Sequence, residues 1–92
     1  MFRIHAVQRM AERGISEGDV REILTAGETI EEYPDDRPYA SRLVLGWCQN
    51  RPLHLVVADN VEAREIIVIT VYDPDPSLWE PDFRHRRRPW NA

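Results

Sequence analysis

The sequence predicts an α+β domain in which two N-terminal helices pack on a four-stranded antiparallel sheet, in the order ααββββ. Apolar residues recur at helical spacing before residue 27 and at strand spacing between residues 28 and 72. Short polar connections separate the strands, and short connections favour antiparallel neighbours. The 92 residues suit one domain with one core. We divide this single domain (1–92) into a helical hairpin (1–27), a sheet (28–73) and an irregular tail (74–92).

The two helices are predicted from their end signals as well as their periodicity. The first should cover about Arg3–Arg13, since Gly14 favours the left-handed conformation that ends helices. Its apolar positions at helical spacing are Ile4, Val7, Met10 and Ala11. Ser16 is a good N-cap for the second helix, with Asp19 three residues on as an acidic capping-box partner, and Gly27 ends that helix.

Four segments have the composition of strands. They are "ETIEEY" (28–33), "SRLVLGW" (41–47), "LHLVVA" (53–58) and "EIIVITVY" (65–72). The turn-like stretches "DDRP", "QNRP" and "DNVEAR" connect them. Matching the most apolar faces places all odd-numbered positions on one side of the sheet. The other side then gathers Arg42, His54, Thr70 and Tyr72. A register with His54 opposite Thr70 fits, and a slip of two residues fits equally well.

Charge is unevenly distributed along the chain. The formal net charge is -4, and all twelve cationic side chains are arginine. Residues 83–92 carry four arginines and no acid, so the rest of the chain is acidic. An acidic body is a poor general nucleic-acid binder, which confines any RNA contact to a local site or to the tail. We expect Trp79, Phe83 and Trp90 to dock the tail, with its arginines facing inward over the sheet.

Several classes of function lack a sequence signal. No apolar run approaches the ~20 residues of a membrane span, so a cytoplasmic protein without membrane contact is expected. The chain has one cysteine and three widely separated histidines, and neither pattern predicts a metal site. No phosphate-binding loop or dinucleotide motif is present, so no cofactor is expected.

A cationic row on the first helix and a polar set on the sheet are the two candidate sites. His5, Arg9 and Arg13 span roughly 80° of helical arc, and spacing alone favours a solvated face over a phosphate-binding one. At the centre of an apolar strand, His54 is either a general base or acid or a core histidine bonded to Tyr72 or Thr70. The two sets form one site only if the first helix lies over the even-numbered face.

Three quoted stretches together resemble a known prokaryotic family. "HAVQRMAERGIS", "RPLHLVVA" and "IVITVYDPDPSLWEPDFRHRR" are similar to the family named domain of unknown function 4258. That family is grouped with the RelE-like toxins and with the metal-independent ribonuclease fold that includes barnase and the colicin nucleases. The resemblance therefore implies a RelE-like fold. Members of the family often look like toxin halves of toxin–antitoxin pairs.

By position, the resemblance implies a set of site residues. Its motif positions fall on His5, Arg9 and Arg13, on His54, on Thr70 and Tyr72, and on Arg84, Arg86 and Arg87. In the leading hypothesis, one of His5 or His54 is the base or acid and Tyr72 is the proton partner. Arg9, Arg13 and Arg42 are phosphate clamps, and Thr70 orients a neighbour. RelE-like toxins are usually basic and lysine-rich, and this chain departs from them in both respects.

Two functions follow as hypotheses. The first is a metal-independent endoribonuclease that is the toxin component of a toxin–antitoxin system, with RNA as substrate and an antitoxin as protein partner. The alternative is a non-enzymatic interaction module of the same fold, which binds an antitoxin or another protein through the arginine-rich tail. A homodimer is compatible with either. A DNA-binding antitoxin is the weakest reading, because no recognition helix has a basic face.

Overall fold

The helical hairpin forms because each helix has its own start and stop signals. The computed structural model describes residues 1–88, with α1 at Ile4–Arg13 and α2 at Glu17–Ala26. Gly14 (φ 65°) ends α1 in the left-handed conformation. The Ser16 hydroxyl accepts from the Asp19 N–H at 3.0 Å, and the Asp19 carboxylate accepts from the Ser16 N–H at 3.0 Å. This reciprocal capping box confirms the predicted start of α2.

The four predicted strands are present and form one antiparallel sheet in sequence order. They are β1 (Glu28–Tyr33), β2 (Ser41–Cys48), β3 (Arg51–Asn60) and β4 (Glu65–Tyr72). Both ends of β3 extend beyond the predicted segment. The predicted α+β class and ααββββ order are therefore confirmed.

The main core lies between the helices and one face of the sheet. Helix α1 packs against β4, and α2 packs against β2. The helices contribute Ala6, Met10, Val20 and Ile23, and the sheet contributes Val44, Leu53, Leu55, Val57, Val68 and Val71. Gly46 lets α2 approach β2 closely, because a Cβ there would lie 2.3 Å from Cγ2 of Ile23. Contact of this kind fixes α2 over the centre of the sheet.

The apolar face predicted for α1 is confirmed at Met10 but is wrong at Ile4, Val7 and Ala11. Ile4 is 75% exposed and Val7 is 51% exposed, whereas Ala6 and Met10 are buried. The chain before α1 explains this, because Phe2 pairs in parallel with Val68 at the edge of β4. Two backbone hydrogen bonds, from the Arg3 N–H to the Val68 oxygen and from the Val68 N–H to the Met1 oxygen, fix how α1 enters the fold. The Ala6–Met10 side is thereby turned towards the sheet.

The prediction that every odd-numbered position shares one face is also wrong. Cys48 pairs with Arg51 across a two-residue connection, so even positions of β2 pair with odd positions of β3. Matching the most apolar faces had placed odd positions of both strands together, which requires a connection with an odd number of residues. Arg42 therefore pairs with Val57 and lies on the helix-facing side, away from His54. A register shift beside Val56 then brings His54 opposite Tyr72, which is the two-residue slip left open above.

The tail covers the sheet face opposite the helices. Residues 74–88 contain no helix or strand and run from the end of β4 towards β1. Trp79 is 3% exposed, and Phe83 packs edge-on against Trp47 with ring centroids 6.1 Å apart. The expected docking of Trp79 and Phe83 agrees with this arrangement, whereas Trp90 lies outside the described residues. No helix among residues 1–88 has the length and apolar character needed to cross a membrane.

Candidate functional site on the sheet face

His54 lies at the centre of the sheet face beneath the tail and is fully buried. Its ring meets the edge of Trp79 with centroids 4.5 Å apart. The Nε2 atom lies 2.8 Å from the backbone oxygen of Phe83, and because a carbonyl can only accept, Nε2 donates its proton there. The Nδ1 atom is then the acceptor for the Tyr72 hydroxyl at 3.4 Å. Both ring nitrogens therefore have partners within the protein.

Burial sets the protonation of this pair. It lowers the pKa of His54, against a smaller opposing effect of the Phe83 carbonyl, so the neutral ring is favoured. Burial likewise raises the pKa of Tyr72, so the phenol is kept neutral. The His54–Tyr72 pair is consequently an uncharged element that joins β3, β4 and the tail.

A charged group stands beside this pair at the β1 edge of the same face. Arg86 of the tail donates to both carboxylate oxygens of Glu31, from Nε at 2.7 Å and from Nη2 at 3.0 Å. The Tyr33 hydroxyl donates a short hydrogen bond to the same carboxylate. The Arg86 guanidinium also stacks on Trp79, 4.6 Å from the ring centroid. Trp79 thus contacts both His54 and the arginine of the charged group.

The Arg86 hydrogen bonds lower the pKa of Glu31, so this carboxylate stays ionised at neutral pH. Desolvation, followed by the hydrogen bond to Glu31, raises the pKa of Tyr33. The ionised Glu31 carboxylate and the protonated Tyr33 hydroxyl therefore meet beside Arg86, which binds Glu31 through two hydrogen bonds. We call Glu31, Tyr33, His54, Tyr72 and Arg86 the sheet-face cluster.

Sequence reasoning missed two members of this cluster, Glu31 and Tyr33. Their signal is the weak alternation in "ETIEEY", in which positions 31 and 33 lie on the same side of a strand. Cross-strand pairing places Glu31 opposite Leu43, and Tyr33 opposite Ser41. The side chains of β1 therefore extend a polar face that was predicted only for β2, β3 and β4.

Two predicted sheet residues lie outside the cluster. Arg42, on the helix-facing side, donates to Asp59 from Nε at 2.9 Å and from Nη2 at 3.2 Å, and also to Thr29. Thr70 shares the cluster's face but pairs with Val56, one row away from His54. The hydrogen bonds found among residues 1–88 include none from the Thr70 hydroxyl.

The residues of the cationic row on α1, His5, Arg9 and Arg13, do not lie together at the sheet-face cluster. Arg9 lies 3.8 Å from Glu12 in an exposed ion pair, which fits the solvated-face reading. Arg13 binds Asp73 at 3.3 Å, and Arg51 binds the same carboxylate at 2.7 Å. His5 lies instead in a separate pocket with Arg3, described further below.

Two further tail arginines, Arg84 and Arg87, are also paired within the chain. Arg84 binds Glu28 of β1, beside the Arg86–Glu31 pair. Arg87 donates to the backbone oxygen of Pro76 at 2.8 Å and lies 3.5 Å from Glu80. Acids of β1 and of the tail thus neutralise arginines that the sequence assigned to phosphate binding.

Metal ligands are not gathered anywhere in the part of the chain that the structure describes. Within residues 1–88, no three His, Cys, Asp or Glu side chains lie close enough together to hold an ion. His54, the buried histidine, uses both nitrogens on Phe83 and Tyr72. The side chains of the cluster can transfer protons and bind an anion.

Comparison with known proteins gives one result. The model of the family described as Domain of unknown function (DUF4258) matches residues 2–73, which contain both helices and all four strands. The chain belongs to this family. The matched range of this DUF4258 protein ends at Asp73, so the tail that covers His54 lies beyond it. The chain matches no curated protein and no solved structure.

The tail docking of this DUF4258 protein should depend on pH through His54. Its pKa is lowered in the folded state, so the unfolded chain binds more protons below about pH 6.5, the ordinary value for histidine. The free energy of unfolding should therefore be constant above that pH and fall as the pH drops towards the folded-state pKa. Urea unfolding between neutral pH and about pH 5 measures this.

A matched pair of variants assigns the effect to His54. His54→Gln should be less stable at neutral pH and should lose the slope, while His5→Gln, at an exposed histidine, should keep it. The groups that face His54 are Tyr72, Glu31 and Arg86. Of these, Glu31 titrates below the window because its pKa is lowered. Equal slopes in wild type and His54→Gln would contradict the assignment.

Proposed function

We propose that this protein is a metal-independent endoribonuclease that cuts single-stranded RNA at the sheet-face cluster, as the toxin component of a toxin–antitoxin pair. The observation that carries the proposal is the contact of Glu31, Tyr33 and Arg86 with one another on a partly open surface. The Glu31 side chain is 25% exposed and that of Arg86 is 58% exposed. A phosphodiester can therefore reach these groups, and the acidic body is no obstacle to so local a site.

Each of the three groups has one role in the cleavage step. Glu31 accepts the proton of the ribose 2′-hydroxyl, and the 2′-oxygen attacks the adjacent phosphorus. The bond from phosphorus to the 5′-oxygen breaks, and Tyr33 protonates that oxygen. Arg86 exchanges one of its bonds to Glu31 for a phosphate oxygen and offsets the charge that develops there. The products are a 2′,3′-cyclic phosphate and a free 5′-hydroxyl.

His54 acts in this scheme as a positioning residue rather than as the base or acid first expected. It is buried and both ring nitrogens are engaged, so it does not reach a substrate. Its bond to the Phe83 carbonyl holds the segment that carries Arg86, and its contact with Trp79 supports the ring on which Arg86 stacks. Loss of His54 should change the cleavage rate through Arg86, in step with the pH dependence of docking given above.

The test is cleavage of a 5′-labelled single-stranded RNA of mixed sequence in buffer that contains EDTA. Wild type should yield 2′,3′-cyclic phosphate ends. Glu31→Gln, which keeps the size of the side chain but removes the base, should be slower by about 10²–10⁴-fold. Glu32→Gln is the matched control, because the neighbouring acid pairs with Arg42 on the other face of the sheet.

Three further comparisons complete the assay. DNA of the same sequence should stay intact, because it lacks the attacking hydroxyl. Expression in a bacterial host should arrest growth with wild type and not with Glu31→Gln. RNA that stays intact across a broad panel, with and without ribosomes, or equal rates for wild type and Glu31→Gln, would overturn the proposal.

A second candidate function, the protein-interaction module, is favoured by α1. Ile4 and Val7 are exposed side by side on this helix, and exposed apolar patches mark interaction surfaces. Three of the four tail arginines are paired with Glu28, Glu31 and Glu80 within the chain, so α1 is a better partner surface than the tail. Intact RNA, together with a partner whose binding is lost in Ile4→Asp, would favour this function.

A further inference from the structure

A pocket of about 310 Å³ lies at the other end of the sheet face, where the first turn of α1 meets the β1–β2 connection. Three of its lining side chains are basic, namely Arg3, His5 and Arg37. The ion pairs found among residues 1–88 do not include Arg3 or Arg37, whereas eight of the other ten arginines of this region are paired with acids. The Arg37 guanidinium is held by the backbone oxygens of Asp35 and Asp36. Donors of Arg3 and Arg37 thus remain available for an anion.

The rest of the lining suits a nucleotide better than a bare phosphate. Tyr39 and Ile69 line the pocket, and the Tyr39 hydroxyl accepts from Asn60 at 3.1 Å, which holds the ring in place. A fixed aromatic ring beside an apolar wall is the usual platform for a nucleobase. Asp36 also lines the pocket and accepts from the Ser41 hydroxyl. A carboxylate repels a bare phosphate but accepts hydrogen bonds from a ribose hydroxyl or a base N–H.

Strand register relates this pocket to the sheet-face cluster. Ser41, in the pocket, pairs with Tyr33 on one side and with Ala58 on the other. The next row of the same face is Glu31, Leu43 and Val56. Two residues along a strand advance by about 7 Å, which is close to the length of one nucleotide in an extended strand. Ser41 of the pocket therefore lies one row along the sheet from Glu31 and directly beside Tyr33, so the pocket adjoins the cluster.

We infer that this pocket is the subsite for the nucleotide next to the cleaved bond, with Arg3, His5 and Arg37 around its phosphate and Tyr39 against its base. The inference rests on the proposed ribonuclease function and extends it to substrate choice. Phosphate contacts fix the register of the strand, whereas contacts to the base discriminate sequence. Arg3 and Arg37 should thus set affinity, and Tyr39 should set the preference for the flanking base.

The test uses a labelled 2′-O-methyl RNA pentanucleotide, which binds but cannot be cleaved because its 2′-oxygen carries no proton. Arg37→Ala and Arg3→Ala should each weaken binding by about tenfold, the usual effect of one charge-assisted contact, and should each reduce the salt dependence by about one ion. Arg21→Ala, at an exposed arginine of α2 that lies outside the pocket, should bind like wild type. Uridine monophosphate should compete better than inorganic phosphate.

Cleavage of an RNA panel that varies the flanking base completes the experiment. Tyr39→Ala should flatten the base preference while cleavage still depends on Glu31. Binding by Arg37→Ala and Arg3→Ala as tight as by wild type would overturn the inference, even where Glu31-dependent cleavage is present. Pocket-dependent binding of the pentanucleotide without any cleavage of RNA would instead support the pocket and overturn only the proposed activity.

Discussion

Trp79→Ala is expected to lower the free energy of unfolding by about 3–5 kcal/mol, the usual cost of emptying a buried aromatic site. The indole is 3% exposed and lies between the His54 ring and the Arg86 guanidinium. Its removal leaves a cavity between tail and sheet and takes away the surface on which Arg86 is held towards Glu31. Urea unfolding followed by far-ultraviolet circular dichroism measures the loss.

The neighbouring apolar residue supplies the control. Leu78 is 57% exposed, so Leu78→Ala should change the free energy of unfolding by less than about 0.5 kcal/mol. Hydrogen exchange should show faster exchange of the Arg87 amide, which donates to the Leu78 oxygen, in Trp79→Ala only. Equal unfolding curves for the two variants would mean that the tail is not docked on the sheet.

Gly46→Val is expected to lower the free energy of unfolding by more than about 3 kcal/mol, at the upper end of overpacking costs. A Cβ at this position would lie 2.3 Å from Cγ2 and 2.6 Å from Cγ1 of Ile23, far inside van der Waals contact. Ile23 is buried against β2, so the clash is relieved only by moving α2 off the sheet. Thermal and urea unfolding of the purified variant measure the effect.

A second glycine and a double variant test whether the clash with Ile23 causes the loss. Gly18 lies in α2 itself, where a Cβ would meet only the Ser16 hydroxyl at 3.7 Å. Gly18→Ala should therefore raise the free energy of unfolding by about 0.5–1 kcal/mol. Combining Gly46→Ala with Ile23→Ala should cost less than the sum of the two single changes. Additive costs would show that the two side chains do not collide.

Much of the fold was predictable because its signals are local. Gly14 and the Ser16–Asp19 capping box act within one helical turn, and the strands alternate within a few residues. The facing of the strands was not predictable in the same way, because it depends on whether the connection between β2 and β3 has an odd or an even number of residues. With Cys48 paired to Arg51 the connection has two residues, an even number, and Arg42 therefore lies on the face away from His54. The periodicity of the sequence likewise does not predict the register shift beside Val56.

The candidate site was predictable only in part, for an electrostatic reason. His54 and Tyr72 could be placed together because strand parity relates them directly. Whether an arginine is available depends on which acids fold next to it, and the chain contains more acids than arginines. Arg13 was assigned to phosphate from the resemblance and is paired with Asp73. Arg37 was not singled out, and the loop position that frees it is a property of the folded chain.

The tail bears on where the folding unit of this protein ends. The part of the chain shared with the family stops at Asp73, but His54 is buried by Trp79 and the Phe83 carbonyl, which come later. A protein cut at the family boundary would leave an apolar sheet centre in water, a surface that favours self-association. Protein made for expression and crystallisation should therefore include the tail that covers the sheet, and should not stop at the residue where the family match stops.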